Sequence, residues 1–142
     1  MRQVLILSLI ICLAAFATAQ TATKPQVQVT PAPYTPPDSG KAMYDAYCAS
    51  CHGIDGKGHG PAAPAMAMPV TDLTMLAKSH GGKYPAFSVA ETLRLTKPLT
   101  AHGSNQMPVW GPIFSRVSQQ DQAVIQQRIH NLNMYIESLQ QK

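Results

Sequence analysis

The chain has 142 residues, enough for one domain of ordinary size, and a formal net charge of +4 at pH 7. No basic run is interleaved with aromatic side chains, which argues against nucleic-acid binding. The small excess of positive charge favours partners with acidic surfaces. Only three Phe, one Trp and five Tyr are available to fill a core. A core this thin favours an additional stabilising element.

The first 19 residues have the pattern of a secretory signal peptide. Arg2 supplies a positive start, an apolar run occupies residues 4–16, and Ala17 and Ala19 form a cleavage site of the A-x-A type. An uncleaved membrane anchor is disfavoured, because the apolar run is shorter than the ~20 residues of a spanning helix. We therefore expect export to the periplasm, removal of residues 1–19, and no stable membrane span afterwards.

Residues 20–37 are rich in proline. They contain five prolines and a single charged residue, Lys24. Such a composition is typical of an extended spacer without a core of its own. We therefore predict a flexible linker over residues 20–37 and a single folded domain over residues 38–142.

Helical patterns recur along this domain, whereas the alternation typical of strands does not, so we predict an all-α fold. Asp38 and Ser39 are suited to cap a helix from about Gly40 to Ala49. Residues 97–113 are rich in Gly and Pro and are predicted to be loop. Three further helices are predicted: from Thr71 to Lys78, from a capping box at Ser88 and Glu91 to Leu95, and from a capping box at Ser118 and Asp121 to Leu139.

Cys48, Cys51 and His52 form the C-x-x-C-H pattern of covalent haem attachment. Two thiols at this spacing can reach two vinyl groups on one edge of a porphyrin. The next residue then lies under the ring, where its imidazole can bind the iron. We therefore predict one covalently attached haem c, with thioethers at Cys48 and Cys51 and with His52 as an axial iron ligand.

Three other uses of a C-x-x-C pair fit the sequence less well. A thioredoxin-like redox pair needs a βαβ context, and no such pattern surrounds these cysteines. A zinc site needs a second pair of Cys or His at metal-binding spacing, which the sequence lacks. A plain disulfide gives no reason for His52 to follow the second cysteine in an exported chain.

The residues leave several candidates for the second axial ligand. Met107 lies in a loop rich in Gly and Pro and is followed by Pro108, where helix packing does not require a methionine. Met66 and Met68, in another proline-flanked loop, and His102 are the competitors. A thioether ligand would favour ferrous iron and raise the reduction potential, whereas a histidine would lower it.

Over most of residues 39–140, the chain resembles the class I (mitochondrial-type) cytochromes c and their bacterial relatives. The likeness begins with the sequence CASCHG, from Cys48 to Gly53. It also rests on four weaker patterns: Gly40 with Tyr44, GKGHGP ending at Pro61, Met107 with Pro108, and Leu132 with Tyr135.

The resemblance implies the class I cytochrome c fold, in which the N- and C-terminal helices cross and short helices and loops wrap one haem. Gly40 and Tyr44 would then meet Leu132 and Tyr135 at the crossing.

For the haem site, the resemblance implies Met107 as the second axial ligand. It also implies that the carbonyl of Pro61 accepts the Nδ1 proton of His52, which would orient the imidazole.

The function implied is that of a periplasmic monohaem carrier, which cycles between Fe(II) and Fe(III) and docks on redox partners with acidic surfaces. It would act alone or as the electron-accepting subunit of a dehydrogenase or respiratory complex. No set of residues suggests bond-making catalysis, so we do not expect an enzyme. The alternative is a five-coordinate haem peroxidase or gas-binding sensor, in which His102 or Asn105 would supply a polar group beside an open iron position.

Overall fold

The computed structural model describes residues 31–95 and 107–141, and within these ranges the chain is helical and contains no strand. This confirms the all-α prediction. No helix in the two ranges is long and apolar enough to cross a bilayer. The two described ranges contain six α-helices: α1 (Gly40–Tyr47), α2 (Ala49–His52), α3 (Leu76–Ser79), α4 (Ala86–Arg94), α5 (Trp110–Val117) and α6 (Gln122–Ser138). Two 3-10 turns, Ala63–Ala65 and Leu73–Met75, lie between α2 and α3.

The first predicted helix is interrupted at Cys48. As expected, Ser39 caps its start, with Oγ accepting a hydrogen bond from the amide of Ala42 at 3.1 Å. The helix ends at Tyr47, Cys48 forms a turn with φ −111° and ψ −37°, and α2 follows at once. The prediction of one continuous helix to Ala49 was therefore wrong. The short helix α2 contains the end of the cysteine-histidine motif.

The contact between α1 and α6 confirms the crossing that the resemblance implied. Gly40 lies against the backbone of α6, where an added Cβ would overlap the carbonyl oxygen of Asn131 and come within 2.9 Å of the Tyr135 Cβ. Tyr44 is fully buried and packs its ring 5.2 Å from that of Tyr135. Leu132 is fully buried in the same core, so the four residues named for the crossing all take part in it.

Three helices start at different residues from those predicted. The cap of α6 is Asp121 rather than Ser118, since Asp121 Oδ1 accepts hydrogen bonds from the amides of Ala123 and Val124, the second and third residues of the helix. Asp72 rather than Thr71 is the capping residue here, and it caps the 3-10 turn Leu73–Met75 that leads into α3. The helix α4 begins at Ala86, so Ser88 lies inside it and does not form a capping box. At each site a short polar residue near the true start was mistaken for the cap.

The helix α5 was not predicted, because Gly111 and Pro112 suggested a loop. Pro112 is the third residue of this helix. The first four amides of a helix have no partner inside it, so a proline there removes no hydrogen bond. Apolar burial then favours the helix, since Trp110 and Phe114 lie one turn apart and both are buried.

Residues 31–37 pack on the domain, which corrects the linker predicted over residues 20–37. The compact unit begins at Pro31. Tyr47 Oη donates a hydrogen bond to the carbonyl of Pro33 at 2.6 Å, and Asn131 Nδ2 donates to the carbonyl of Pro37 at 3.0 Å. Thr35 is only 6% exposed. The physical reason is that a proline-rich backbone offers carbonyl acceptors, and α1 and α6 present side-chain donors to them.

Thr35 also joins α1 to α6 through its hydroxyl. Arg128 Nη1, on α6, donates to Thr35 Oγ1 at 3.0 Å, and Thr35 Oγ1 lies 2.9 Å from Tyr47 Oη. Because the Tyr47 proton is given to Pro33, the proton between Thr35 and Tyr47 must come from Thr35. The hydroxyl protons of Thr35 and Tyr47 therefore each have an acceptor.

The end of α6 fixes the segment that precedes α3. The side-chain amide of Gln140 donates to the carbonyl of Leu73 at 2.7 Å and accepts from the amide of Ala77 at 2.8 Å. The backbone amide of Leu73 in turn donates to the carbonyl of Gly56 at 2.7 Å. These bonds place the 3-10 turn and α3 relative to both α6 and the loop after the cysteine-histidine motif.

Gly40→Ala should destabilise the folded protein by about 3 kcal/mol, since the added methyl group overlaps the α6 backbone, which cannot move without separating the helices. The measurement is chemical denaturation of the haem-loaded protein. Gly81→Ala is the control: nothing lies within 4 Å of its added Cβ, and its φ of +68° alone should cost about 1 kcal/mol. Equal losses in the two variants would contradict the close contact at Gly40.

Thr35→Val should lower the free energy of unfolding by about 2 kcal/mol, because it keeps the shape of the side chain and leaves the buried Arg128 Nη1 without its acceptor. The same denaturation experiment measures the loss. Thr92→Val is the matched control, since the Thr92 hydroxyl bonds only to Ser88 of its own helix at an exposed position. If residues 31–37 were a free linker, the two variants would be equally stable.

Candidate functional site

Cys48, Cys51 and His52 occupy one tight turn at the end of α1. The amide of Cys48 closes α1 by donating to the carbonyl of Tyr44 at 2.8 Å. The amides of Cys51 and His52 then both donate to the carbonyl of Cys48, at 3.1 and 2.9 Å. A single carbonyl thus holds the backbone of the second cysteine and of the histidine, so the three side chains of the motif are fixed relative to one another.

The loop after the motif folds back along this turn. The amides of Gly58, Gly60 and Ala62 donate to the carbonyls of His52, Cys51 and Ser50 at 2.7, 3.0 and 2.8 Å. Carbonyls at the end of a helix have no hydrogen-bond donor within the helix, and these three amides supply the donors. Gly60 must be a glycine here, because an added Cβ would overlap the carbonyl oxygens of Ala49 and Ser50.

Tyr44 fastens the start of this loop to α1. Its Oη donates to the carbonyl of Gly53 at 2.7 Å, in a buried position. Burial raises the pKa of Tyr44 well above its ordinary value, so the phenol keeps its proton and remains a donor. The aromatic residue that packs against α6 therefore also positions the residue directly after His52.

The imidazole of His52 is held by a backbone carbonyl, that of Thr71, which lies 3.0 Å from Nδ1. A carbonyl oxygen can only accept, so the proton of the neutral ring is on Nδ1, and Nε2 carries a free lone pair. Burial lowers the pKa of His52 below its ordinary 6.5, and the bond to Thr71 acts in the opposite direction. The ring is therefore neutral at pH 7 and able to bind a metal through Nε2.

The partner of Nδ1 corrects the expectation that the Pro61 carbonyl would accept this proton. Gly58 lies against the backbone of Val70 and Thr71, where an added Cβ would contact the carbonyl group of Val70. This close approach brings the chain at Thr71 beside His52. Pro61 is exposed and lies in the part of the loop that pairs with Ser50 and Cys51.

The two thiols of the motif are free. Among the described residues neither Cys48 nor Cys51 forms a disulfide. Cys48 is 6% exposed, and burial raises the pKa of its thiol to about 12, with a smaller contribution from Cys51. Cys51 is half-buried. Both sulfurs are thus available as thiols for covalent attachment, and the described residues hold no cluster of three or more His, Cys, Asp or Glu that could bind a metal ion.

An aromatic cluster borders the motif. The Tyr47 ring, directly before Cys48, lies 5.6 Å from that of Trp110 and 6.1 Å from that of Phe114. Trp110 Nε1 is buried and has no hydrogen-bond partner within the described ranges. A buried donor without an acceptor is costly in a chain on its own. The unpaired Nε1 proton of Trp110 fits a site that is completed by a bound group with hydrogen-bond acceptors, such as the carboxylates of haem.

The remaining candidate ligands lie in loops. Met107 is 39% exposed and stands three residues before Trp110, which anchors the start of α5 against Tyr47. Met66 is half-buried and Met68 is 47% exposed, both after the first 3-10 turn. His102, the other candidate, lies outside the described residues, as does Asn105.

Sequence reasoning missed two groups at this site. Thr71 acts through its carbonyl, which every residue type possesses, so its position carries no signal in the sequence. Tyr47 and Phe114 could have been found: Tyr47 lies on the apolar face of α1, and Phe114 shares its face with Trp110 once α5 is recognised as a helix.

The features of this turn fit haem c: two free thiols, a neutral histidine with Nε2 available, and a neighbouring buried donor in need of an acceptor. Comparisons with curated proteins and with solved structures gave no match. A family comparison did: the family described as cytochrome c matches residues 37–140. All six helices lie inside that range. The chain therefore belongs to the class I cytochromes c, which are electron-transfer proteins with a covalently bound haem c.

Proposed function

We propose that the protein is an exported one-electron carrier of the periplasm, with one haem joined to Cys48 and Cys51 and bound through His52. The observation that carries the assignment is the hydrogen bond between His52 Nδ1 and the Thr71 carbonyl. It leaves Nε2 free on the same turn that presents two unpaired thiols. The bound iron would supply the exchange of a single electron between Fe(II) and Fe(III).

The chain's own residues then serve to hold and tune the site rather than to make or break bonds. Thr71 orients the imidazole and increases its donor strength by accepting the Nδ1 proton. Tyr44, through Gly53, keeps the loop after His52 against α1. We propose that these supports keep the site rigid, so that little rearranges when an electron arrives or leaves, and that the protein is a carrier and not an enzyme.

Met107 is our proposal for the second axial ligand. Trp110 packs on Tyr47 and so holds the start of α5, and with it the Met107 segment, beside the residue that precedes Cys48. Met66 and Met68 follow a 3-10 turn that contacts α2, and remain the competitors. A thioether at the sixth position would favour ferrous iron, raise the potential and close the position that a peroxidase or gas sensor keeps open.

We further propose that the partners are redox proteins with acidic surfaces, reached in the periplasm after removal of residues 1–19. The support is the signal pattern of the leader and the net charge, which is +4 for the full sequence and falls by one to +3 when Arg2 is removed with the leader. The carrier would act alone or as the electron-accepting subunit of a dehydrogenase or respiratory complex.

Cys48→Ala or Cys51→Ala should leave a single thioether and reduce the yield of mature protein, because each thiol forms one bond to the porphyrin. Acid–acetone extraction followed by a visible spectrum of the protein pellet measures attachment. Ser50→Ala, an exposed change between the two cysteines, is the control and should mature normally. Haem that acid–acetone removes freely from the wild-type protein would rule out covalent attachment.

Met107→Ala should open the iron, lower the potential and allow rapid CO binding by the ferrous form, while the haem stays covalently attached. The measurements are the far-red absorption band of ferric haem bound to methionine sulfur, a redox titration and CO mixing. A soft ligand that stabilises ferrous iron is lost in this variant, which gives the direction of the change in potential.

Met66→Leu and Met68→Leu are the controls for Met107, since each removes a loop thioether and keeps an apolar side chain of similar volume. Neither should change the band or the potential. An unchanged band in Met107→Ala would reject Met107 and return Met66, Met68 and His102 as candidates. Rapid CO binding by the wild-type ferrous protein would favour the peroxidase or sensor.

A further inference from the structure

Arg128 is a fully buried cation without an acidic partner in the described part of the chain. Its side chain is 0% exposed. Nε donates to Ser118 Oγ and Nη1 to Thr35 Oγ1, both at 3.0 Å, whereas Nη2 is buried with no hydrogen-bond partner among the described residues. A buried charge paired only with hydroxyl groups is costly, and one unused donor adds to the cost. An anion that reached Nη2 would relieve both.

A cleft of about 400 Å³ lies beside this guanidinium and has Arg128, Ser118 and Gln119 in its lining. Asp121 is the acidic residue at the cleft, and its Oδ1 accepts hydrogen bonds from the Ala123 and Val124 amides at the start of α6. None of the ion pairs in the described part of the chain includes Arg128. The space is large enough for one carboxylate-bearing side chain.

Tyr34 covers the guanidinium on the outer side. Its ring centroid lies 5.3 Å from Arg128 Cζ, the distance of a cation–π contact. The Tyr34 side chain is nevertheless 72% exposed, so solvent and not packing surrounds most of it. Thr35, the next residue, is fixed by its hydrogen bonds. The ring can therefore turn away from Arg128 while the backbone beneath it stays in place.

We propose that this cleft receives a carboxylate side chain of an acidic redox partner, which binds Arg128 Nη2 when the Tyr34 ring turns aside. The inference rests on the proposed function as an electron carrier and names where its partner docks. A carboxylate fits because the charge to be balanced is that of one guanidinium, whose other donors on Nε and Nη1 are in use. Charge-assisted bonds of this kind are stronger than those between neutral groups.

The position of the cleft suits electron transfer. Arg128 is linked through the Thr35 hydroxyl to Tyr47 Oη, and Tyr47 directly precedes Cys48. The Tyr47 ring also packs on Trp110. A partner held at Arg128 would thus stand two hydrogen bonds away from the residue that adjoins the haem-bearing turn.

The test uses the full haem-loaded chain, labelled with 15N, and a short oligoglutamate peptide at low ionic strength. The Arg128 Nε–H resonance should shift as the peptide binds. Arg128→Gln should weaken binding about tenfold. Arg116→Gln is the matched control, because it removes the same charge from an exposed position on α5 outside the cleft, and it should change affinity far less.

Tyr34→Ala gives a second readout that does not disturb the buried network. Because it removes the covering ring, it should raise the affinity for oligoglutamate about threefold, which corresponds to one exposed cation–π contact. This variant decides the question even if Arg128→Gln fails to fold. An Arg128 resonance that does not move, equal losses in Arg128→Gln and Arg116→Gln, or weaker binding by Tyr34→Ala would each overturn the proposal.

Inorganic phosphate is titrated in parallel. If it shifts the Arg128 resonance as strongly as the peptide does at equal concentration, the cleft takes small anions and the docking proposal fails. A reversible redox titration of the same sample with uncharged mediators tests the carrier function separately. If the haem is oxidised and reduced reversibly but the cleft does not bind the peptide, only the docking site is refuted. If the haem cannot be oxidised and reduced reversibly, the proposed function itself is refuted.

Discussion

The close contact between α1 and α6 at Gly40 is the constraint on which the site depends. It fixes the direction of α1 and hence the position of Cys48 at its end. Gln140 follows shortly after the end of α6, donates to the Ile136 carbonyl of that helix and holds the segment before α3. That segment follows directly from Thr71, whose carbonyl orients His52. One helix that contributes no residue to the motif therefore places both the motif and the acceptor of its histidine.

A second set of contacts surrounds the buried charge of Arg128. The proline-rich segment over residues 31–37 supplies the hydroxyl of Thr35 and the carbonyl of Pro33, which close the hydrogen bonds of Arg128 and Tyr47. A segment without regular secondary structure thus completes the polar interior between α1 and α6. Its composition suggested a spacer, yet two of its polar groups accept hydrogen bonds from side chains on these two helices.

The parts of the fold that the sequence predicted are those in which residue type alone carries the chemistry. Cys48, Cys51 and His52 are recognisable by spacing, and the resemblance to the class I cytochromes c implied that Gly40 lies where two helices meet. The features that were not predicted depend on backbone groups or on the position of a residue within its helix. The Thr71 carbonyl is chemically the same as any other. Pro112 breaks a helix in its interior and is harmless near its start.

The hydrogen bond from His52 to the Thr71 carbonyl has a consequence for genetics. Because the acceptor belongs to the backbone, replacing the exposed side chain of Thr71 leaves it unchanged. Alanine scanning would therefore not detect the Thr71 carbonyl, although this group is one of the nearest to the metal-binding imidazole. The orientation of His52 therefore depends on the path of the backbone at Thr71 and not on the type of side chain there.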